Sequence, residues 1–373
     1  MRQVTQKDIS KELGLSQSTV ALILGIPHHP LRKKFKAETI EMVERKAKEL
    51  GYYTNSNARI LRTRRSNLIV ILNFTPPNEI NGRKVYQLGQ LIHEAGYTCR
   101  VIEARWWSGD ARLFMEQLMG LHPEGVIMLG AAQLPVSNKH IEELFTRQRT
   151  PVVSLGEDIP GIPVVYHDAK EPIRQITAEA IRHGRRRLAL LMPADDTRQM
   201  RQRAAGFQAA ILEAGGLLPE KHSLDYSFSS ENDKLQSTIL LTTFRPSSFQ
   251  DFSPYMAAID QALGVSEPPD TLICANDEFA FSALAVARKR GVAVPEELFV
   301  SGFDEMACGA LSEISLTTIR IPIEELCMAT MDMLISQIEK PQITMFPEVR
   351  VFPSEVIWRE SCPQYKRAQI ETT

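Results

Sequence analysis

The sequence predicts an α/β protein in which a small headpiece of three helices and a linker precede a core of two doubly wound lobes with parallel sheets. Three observations predict this class. Two short helical segments separated by one glycine open the chain at residues 5–24, and a basic segment follows them. The 307 residues beyond Ser66 alternate apolar runs with amphipathic segments. That length is too great for one doubly wound domain and suits two.

The first helix has a clear start and end. Thr5 is a favourable N-cap, Ile9 and Leu13 form one apolar stripe, and Gly14 can adopt the left-handed turn that ends a helix. Ser16 is placed to cap a second helix directly afterwards. This arrangement predicts a helix–turn–helix, although an ordinary helical hairpin at the start of a globular domain has the same pattern.

The second helix has an apolar side and a polar side. Its inward side consists of Val20, Ile23 and Leu24. Its outward side is small and can hydrogen-bond near the helix N-terminus, so we expect it to enter a DNA major groove. The outward residues are Gln17, Ser18, Ala21 and Leu22. Two short helices cannot bury a core alone. A third helix is therefore predicted, with its apolar stripe at Ile40, Val43, Ala47 and Leu50.

Charge is unevenly distributed along the chain, whose formal net charge is −2. Residues 1–66 contain 14 Lys and Arg against 6 Asp and Glu, whereas the other 307 residues contain 29 against 39. A basic headpiece on an acidic body is typical of a nucleic-acid-binding protein, because Lys and Arg displace counterions from phosphates. The alternative, a solvated basic surface, is less favoured because the charge coincides with the helix–turn–helix.

Composition excludes several classes of protein. The chain is 43% hydrophobic and 24% charged, as expected of a globular protein with an ample core. Its five cysteines are scattered, which predicts free, mostly buried thiols and neither a disulfide framework nor a metal site. We find no secretory signal and no apolar run of the roughly 18 residues that a membrane helix needs. We therefore expect a cytoplasmic protein with no membrane partner, cofactor or metal.

The chain beyond Ser66 alternates strands and helices. Strands are predicted at residues 68–74, 98–102, 125–129, 152–155, 164–166 and 188–192, and helices at 85–95, 111–119, 172–183 and 198–214. Such alternation predicts parallel sheets with helices on both faces. In doubly wound folds the ligand binds in the cleft outside the carboxyl ends of the strands.

A series of short motifs along the chain resembles the motifs of one known protein family. The headpiece motifs are Val4-Thr5, Asp8-Ile9, residues 14–16, Thr19-Val20, Glu38-Thr39, residues 50–52, Asn55 and residues 58–63. The body motifs are Arg203 with Gly206-Phe207, and residues 275–280, 300–305, 316–326 and 356–361. In this order they resemble the lactose-repressor (LacI/GalR-type) family of bacterial transcription regulators. The resemblance spans residues 4 to about 361.

The resemblance implies how DNA is bound. In that family the hinge helices of two subunits pair in the minor groove, where a leucine separates base steps; Leu61 occupies that position here, with Ala58 beside it. The alternative for Leu61 is a loop leucine that packs on the core. The DNA-binding set that the resemblance implies is Thr5, Lys7, Ser16, Gln17, Ser18, Thr19, Ala21, Leu22, Lys36, Asn55, Ala58 and Leu61.

The resemblance also implies a periplasmic-binding-protein-like (type I) core with a small-molecule effector between its lobes. Arg203, Asn276 and Asp304 stand at the family's ligand-contacting positions. Guanidinium, amide and carboxylate groups suit hydroxyl-rich ligands. For Asn276 and Asp304 the alternative role is capping of the following helix, and for Arg203 it is an interlobe or surface salt bridge.

Several segments depart from the family pattern. Ala21 and Leu22 stand where a guanine-reading side chain is usual, so we expect an atypical operator. The loop at residues 26–35 is extended, and Lys36 is a weak cap for the third helix. Residues 167–172 and 192–196 are poor in glycine and more acidic than usual at the cleft rim, which argues against a simple sugar as effector. Residues 227–269 match the family poorly.

Two rim segments leave alternatives open. Asp195, Asp196 and Arg198 either face the ligand or belong to a solvated loop, and the solvated loop is favoured. An enzyme could in principle use His167, Asp168, Asp195 and Asp304 as acid–base groups. No nucleophile elbow, phosphate loop or metal-ligand set accompanies them, and an enzyme has no use for a basic headpiece.

The predicted organisation follows from these segments. Residues 1–51 form the headpiece, 52–66 the hinge, 67–361 the effector-binding and dimerisation core, and 362–373 a polar tail. Lobe 1 takes residues 67–168 and 322–350, and lobe 2 takes 169–321 and 351–361. We predict a regulator that binds a pseudo-palindromic operator as a homodimer under effector control, and a repressor in sign. The alternative is a sugar- or nucleotide-processing α/β enzyme with an accessory helical domain.

Overall fold

The computed structural model describes residues 4–25, 34–52, 65–75, 78–104, 111–130, 150–194, 196–217, 220–222, 228, 234–242, 252–340 and 347–364. The predictions for the hinge residues Asn55, Ala58 and Leu61 lie outside these residues. So do the predictions for Asp195, for most of the loop 26–35 and for residues 365–373 of the polar tail.

Three helices form the headpiece as predicted: α1 (Gln6–Leu13), α2 (Gln17–Gly25) and α3 (Ala37–Glu49). Thr5 caps α1 through a capping box with Asp8, and Gly14 ends it at φ 61°. Ile9, Val20, Ile23, Val43 and Ala47 form a small buried core of their own. Lys36 precedes α3 without a side-chain cap, as expected.

The prediction for one residue of α2 was wrong. Ala21 is only 6% exposed, whereas the sequence analysis placed it on the open face. At 100° per residue Ala21 lies about 60° from Leu24 around the helix, so it borders the apolar stripe, and its short side chain lies close to the backbone. Gln17 and Ser18 are exposed as expected, and Leu22 is half-buried.

Lobe 1 is built on a parallel sheet of six described strands: β1 (Leu68–Asn73), β2 (Thr98–Glu103), β3 (Gly125–Leu129), β4 (Val152–Leu155), β5 (Val164–His167) and β12 (Val349–Phe352). Their order is β12-β5-β4-β3-β1-β2. The helices of this lobe are α4 (Glu79–Glu94), α5 (Ala111–Gly120) and α10 (Ile323–Glu339). Because β12 pairs with β5, residues 351 and 352 belong to lobe 1 and not to lobe 2, where the sequence analysis assigned them.

Lobe 2 is built on a second parallel sheet, whose described strands are β6 (Arg187–Pro193), β7 (Glu220–His222), β8 (Gln236–Thr242), β9 (Thr271–Cys274) and β10 (Phe299–Ser301). Their order is β10-β9-β6-β8-β7. Its helices are α6 (Lys170–Arg182), α7 (Arg198–Glu213), α8 (Ser253–Leu263) and α9 (Asp277–Arg290). An antiparallel pair, β11 (Thr318–Arg320) with β13 (Glu355–Ile357), adjoins this sheet near the crossovers between lobes.

Both sheets are covered on both faces, as the doubly wound prediction requires. In β1, Ile69 and Ile71 face the large core that includes α4 and α10, while Val70 and Leu72 face the core beside α5. This alternation is the two-residue period of a strand buried on both sides. Each of the five cysteines is free, and Cys274, Cys327 and Cys362 are buried. Among the residues placed by the structure, no helix is long and apolar enough to span a bilayer.

Candidate functional site

The candidate ligand site lies where the carboxyl ends of strands from both lobes meet. His167 is the last residue of β5, Asn276 follows β9 by two residues, and Asp304 follows β10 by three residues. Arg203 lies in α7, the helix after β6. The structure brings Arg203 and His167 against one aromatic ring, that of Phe303, the residue before Asp304.

Arg203 is almost completely buried, with 2% of its surface exposed. Its guanidinium lies over the Phe303 ring, 3.8 Å from the centroid, and its Nη1 is 3.9 Å from the Met200 sulfur. Burial lowers the pKa of Arg203 to about 10, and the charge of Asp304 opposes that shift. No salt bridge joins Arg203 to the residues that the structure describes, so both alternatives from the sequence, an interlobe and a surface ion pair, are wrong.

Asp304 occupies a strained position beside Arg203. Its backbone has φ 114°, a region that few non-glycine residues adopt. Its amide donates to the Ile319 carbonyl at 2.9 Å. Burial raises the pKa of Asp304 to about 6, against the opposing charges of Arg203 and Lys84. The short 3-10 helix that follows has Met306 at its N-cap, so the capping alternative is wrong for Asp304.

Asn276 has the structural role that the sequence left open. Its side-chain oxygen accepts a hydrogen bond from the Phe279 amide at 2.9 Å and so caps α9. The capping alternative is confirmed for Asn276. A contact with an effector stays a prediction for this residue.

Asp277, the next residue, fixes the segment that carries Phe303 and Asp304. It is fully buried, accepts from the Thr318 hydroxyl at 2.6 Å and accepts from the Met306 amide at 2.7 Å. A Cβ on Gly302 would lie 2.0 Å from the Asp277 carboxylate, so only glycine fits there. Burial raises the pKa of Asp277 to about 7. The Ala-Asn-Asp motif thus holds the site loop in place.

Sequence reasoning missed one charged residue at this site. Lys84 is only 6% exposed and lies in α4, where the predicted helix began one residue too late to include it. A signal was present, because Lys84 interrupts the apolar stripe that Ile80, Leu88 and Ile92 form at helical spacing. Burial lowers the pKa of Lys84, and the charge of Asp304 raises it.

His167 was considered only as a rim residue and as a group for the enzyme alternative. It is 2% exposed, and its Nδ1 lies 3.1 Å from the Ser354 hydroxyl oxygen. Its ring is tilted against Phe303, with the centroids 5.6 Å apart. Burial lowers the pKa of His167 well below its ordinary value, and the charges of Lys84 and Arg203 lower it further. The ring is therefore neutral at pH 7.

Arg198 bridges the lobes at the rim. Its side chain is paired with Asp158 and lies 3.9 Å from the centroid of the Tyr166 ring, and its amide donates to Glu157 at 3.0 Å. All three partners precede the first crossover and belong to lobe 1. Asp196 instead pairs with Arg201 of its own lobe at 3.0 Å and is exposed. Asp196 therefore belongs to a solvated loop, whereas the Arg198 side chain forms a contact between the lobes.

The headpiece presents a separate polar surface. The Ser16 hydroxyl accepts from the Thr19 amide at 3.1 Å and lies 2.8 Å from the hydroxyls of both Ser18 and Thr19. Lys7 and Lys36 are exposed. The start of α2 therefore carries hydroxyl and amide groups that face solvent, close to the capped end of the helix. Such groups can reach both phosphates and base edges.

Comparison with known proteins gives consistent matches. Residues 88–244 match the model of periplasmic binding proteins and the sugar-binding domain of the LacI family, and residues 177–362 match that of a periplasmic binding protein-like domain. The chain is 23% identical over 294 residues to the HTH-type transcriptional regulator DegA of Bacillus subtilis, covering 76% of this chain and 84% of DegA.

Two further matches span nearly the whole chain. The probable HTH-type transcriptional repressor ExuR of Bacillus subtilis is 24% identical over 342 residues, covering 91% of this chain and 93% of ExuR. A lac repressor dimer bound to operator and an anti-inducer matches in structure with a TM-score of 0.75 and 18% identity, covering 97% of this chain and all of that one. At 97% coverage, the structural match extends over the headpiece as well as both lobes.

Proposed function

Because the chain belongs to the lactose-repressor (LacI/GalR-type) family of bacterial transcription regulators, we propose separate roles in effector-controlled DNA binding for its headpiece, its hinge and its core. The relatives are regulators and not enzymes, so the alternative of a sugar- or nucleotide-processing enzyme is set aside. The regulator acts in the bacterial cytoplasm, where the chromosome lies, and its sign is repression.

The DNA-binding part is residues 1–51, with α2 lying in the major groove. The observation that carries this assignment is the exposed Gln17 and Ser18 at the capped start of α2, on a basic headpiece with its own core. Lys7 and Lys36 bind DNA phosphates. Thr5, Ser16 and Thr19 orient α2 and donate hydrogen bonds to the DNA backbone. Leu22, half-buried and apolar, meets a thymine methyl group. Ala21, which is buried, supports the helix from within.

The hinge, residues 52–66, joins the headpiece to the core; it binds DNA through Asn55 and enters the minor groove with Ala58 and Leu61. Two subunits bind one pseudo-palindromic operator as a homodimer, because each headpiece reads one half-site. Leu61 separates a base step at the operator centre, at an unstacking cost of a few kcal/mol that the added contact offsets.

The effector site lies between lobes 1 and 2 and includes Arg203 and Asp304. Asp304 accepts from effector hydroxyl groups, and Arg203 donates to effector oxygens. Asn276 orients the site loop through α9 and offers its amide nitrogen to the ligand. Effector binding changes the arrangement of the lobes and thereby orders or releases the hinge. This coupling is reciprocal, so the operator must change the affinity for effector by the same factor.

The experiment that tests the assignment is selection of genomic DNA fragments by the full-length protein at a stated salt concentration, because phosphate contacts make affinity depend steeply on salt. We expect one palindromic site with a flexible pyrimidine–purine step at its centre. Leu61→Ala should weaken binding to that site, while Tyr86→Ala, at an exposed position of α4 far along the chain, should leave it unchanged. Recovery of unrelated fragments would contradict the assignment.

A further inference from the structure

Three buried nitrogen-bearing side chains near the junction of the lobes have no oxygen acceptor for at least one of their donor groups. Two of them, Arg203 and His167, contact the Phe303 ring, and the charge of the third, Lys84, acts on both. Lys84 is 6% exposed, and its ammonium group forms neither a hydrogen bond nor an ion pair with any described residue. Arg203 Nε and His167 Nε2 are buried and likewise unpartnered. Protein interiors rarely leave such groups unpaired, because each unmade charge-assisted bond is costly.

The three groups belong to one site. The Phe303 ring lies 3.8 Å from the Arg203 guanidinium and 5.6 Å from the His167 ring, so it links lobe 2 to lobe 1. α4 approaches the same loop at its first turn, where the Ala307 amide donates to Glu79 at 3.4 Å. α10 holds α4 from the other side, through a contact of 3.8 Å between the Cys327 sulfur and the Lys84 carbonyl.

The positive charges of Lys84 and Arg203 are not neutralised by ion pairs with the described residues of the protein. Asp304 is the carboxylate whose charge acts on both Lys84 and Arg203, yet no ion pair within 4.0 Å joins it to either among the described residues. Asp277 accepts hydrogen bonds from Thr318 and Met306 instead. Two cations therefore share one separate carboxylate, and a negatively charged group is still needed to pair with them.

We propose that Lys84, Arg203 and His167 form an oxyanion subsite, so that the effector is a hydroxyl-bearing acid, either a carboxylate or a phosphate ester. The inference rests on the proposed function, because it names the chemical class of ligand for the same interlobe site. Lys84 and Arg203 pair with the oxyanion. His167, when it accepts from Ser354 at Nδ1, carries its proton on Nε2 and donates from there.

Asp304 determines which other groups the ligand must carry. A bare anion beside this carboxylate would be repelled, whereas a ligand that also carries hydroxyl groups can donate to Asp304 and present its oxyanion to the cations. A neutral sugar would satisfy Asp304 but leave the Lys84 ammonium buried without a counter-charge. The site thus favours a polyhydroxylated acid over its neutral counterpart.

The test uses matched neutral and anionic probes on the full-length protein. D-gluconate supplies a carboxylate, D-glucose 6-phosphate a phosphate ester, and D-glucose neither; sodium chloride at equal ionic strength controls for screening. Isothermal titration calorimetry should detect binding of D-gluconate or D-glucose 6-phosphate, and which of the two binds identifies the oxyanion. Equal or tighter binding of D-glucose would overturn the proposal, as would no binding of either acid.

Lys84→Met separates a ligand-binding role from a structural one. It should weaken binding of the acid about 10- to 100-fold, the effect of one buried charge-assisted hydrogen bond. It should also raise the melting temperature of the unliganded protein, because it removes an unpaired buried charge. Lys289→Met, at an exposed position of α9, should change neither quantity. A Lys84→Met variant that melts lower and binds the acid normally would contradict the subsite.

DNA selection and binding of the acid can fail independently of each other. A protein that binds one palindromic DNA site and releases it only with a neutral metabolite keeps the proposed function and loses the oxyanion subsite. A protein that binds the acid through Lys84 but selects no DNA sequence keeps the subsite and loses the proposed function.

Discussion

The guanidinium of Arg203 stacks on the ring of Phe303, 3.8 Å from its centroid, and so joins α7 to the loop that carries Asp304. Phe303 also contacts His167 of lobe 1. Since Phe303 precedes Asp304 in the chain, any ligand that moves Asp304 or Arg203 also acts on the contact between the lobes. If the effector binds at Arg203 and Asp304 as proposed, we expect its binding to be coupled to the arrangement of the lobes through Phe303.

The Arg203–Phe303 stack should be measurable as a coupling free energy. In a double-mutant cycle with Arg203→Met and Phe303→Leu, the two changes should be non-additive by about 2 kcal/mol in the free energy of unfolding, because a desolvated cation–π contact is worth roughly that amount. Urea denaturation measures it. A parallel cycle of Arg203→Met with Phe279→Leu, a buried phenylalanine that contacts Tyr255, should be additive. Additivity in both cycles would mean that the stack contributes nothing.

Asp304 should make stability depend on pH in an unusual direction. Its pKa is raised to about 6 in the folded state from 3.8, so ionisation opposes folding, and stability is lost as pH rises from about 4 to about 6 and is constant above. Asp304→Asn should therefore match the wild type at pH 4 and exceed it by about 2–3 kcal/mol at pH 8. The measurement is urea denaturation across that range.

The neighbouring residue provides a control of opposite sign. Hydrogen bonding to Arg320 lowers the pKa of Glu305, so its ionised form stabilises the fold. That contribution is present above the ordinary pKa and is lost as pH falls through the lowered one. Glu305→Gln should therefore lose stability relative to wild type at neutral pH and regain it in acid. Equal pH responses of Asp304→Asn and Glu305→Gln would contradict a raised pKa at Asp304.

Much of the fold followed from local sequence. Buried strands were recognisable as uninterrupted apolar runs, and β3 and β4 begin and end where predicted. Cap positions at Thr5, Ser16 and Gly14 follow from backbone chemistry that the residue type decides alone. The start of α4 was missed because residues 79–84, which follow the Asn78 cap, contain a single apolar residue, Ile80, and so show no apolar periodicity.

The rest of the site depends on contacts between distant segments. Nothing local reveals that Asn276 caps α9 while Asp304 does not cap a helix, since both follow strands. In the sequence Phe303 cannot be distinguished from other apolar residues, and only the folded structure shows that its ring packs against the Arg203 guanidinium. Lys84 could be detected only because it interrupts the apolar stripe of α4. The predicted helix began after Lys84, so this interruption was not seen.

The close packing of α6 on α7 also depends on distant residues. A Cβ on Gly206 would lie 2.1 Å from the Lys170 carbonyl oxygen, whereas a Cβ on Gly89, within α4, meets nothing within 4 Å. Gly206→Ala should lower the free energy of unfolding by more than about 2 kcal/mol through overpacking. Gly89→Ala should raise it by about 0.5–1 kcal/mol, because alanine favours helix. Chemical denaturation of both variants checks this, and equal effects would contradict the packing.

Arg198 should stabilise the contact between the lobes. Arg198→Ala removes its ion pair with Asp158 and its stacking on Tyr166, and should lower stability by about 1 kcal/mol. It should also enlarge the radius of gyration in small-angle X-ray scattering. Arg201→Ala, one turn later at an exposed pair within lobe 2, should change stability by less than about 0.5 kcal/mol and leave the scattering unchanged. Identical scattering for wild type and Arg198→Ala would remove this contact from the account.

The measurement that tests the central claim most directly is the specificity ratio, the affinity of the full-length protein for its selected DNA site divided by that for random DNA of equal length at about 0.15 M salt. A regulator that reads bases with α2 should give a ratio of about 1,000 or more, and Gln17→Ala should reduce it while leaving the affinity for random DNA unchanged. A ratio near one for the wild type would mean that the basic headpiece binds phosphates alone, and the assignment of α2 as the base-reading helix would be wrong.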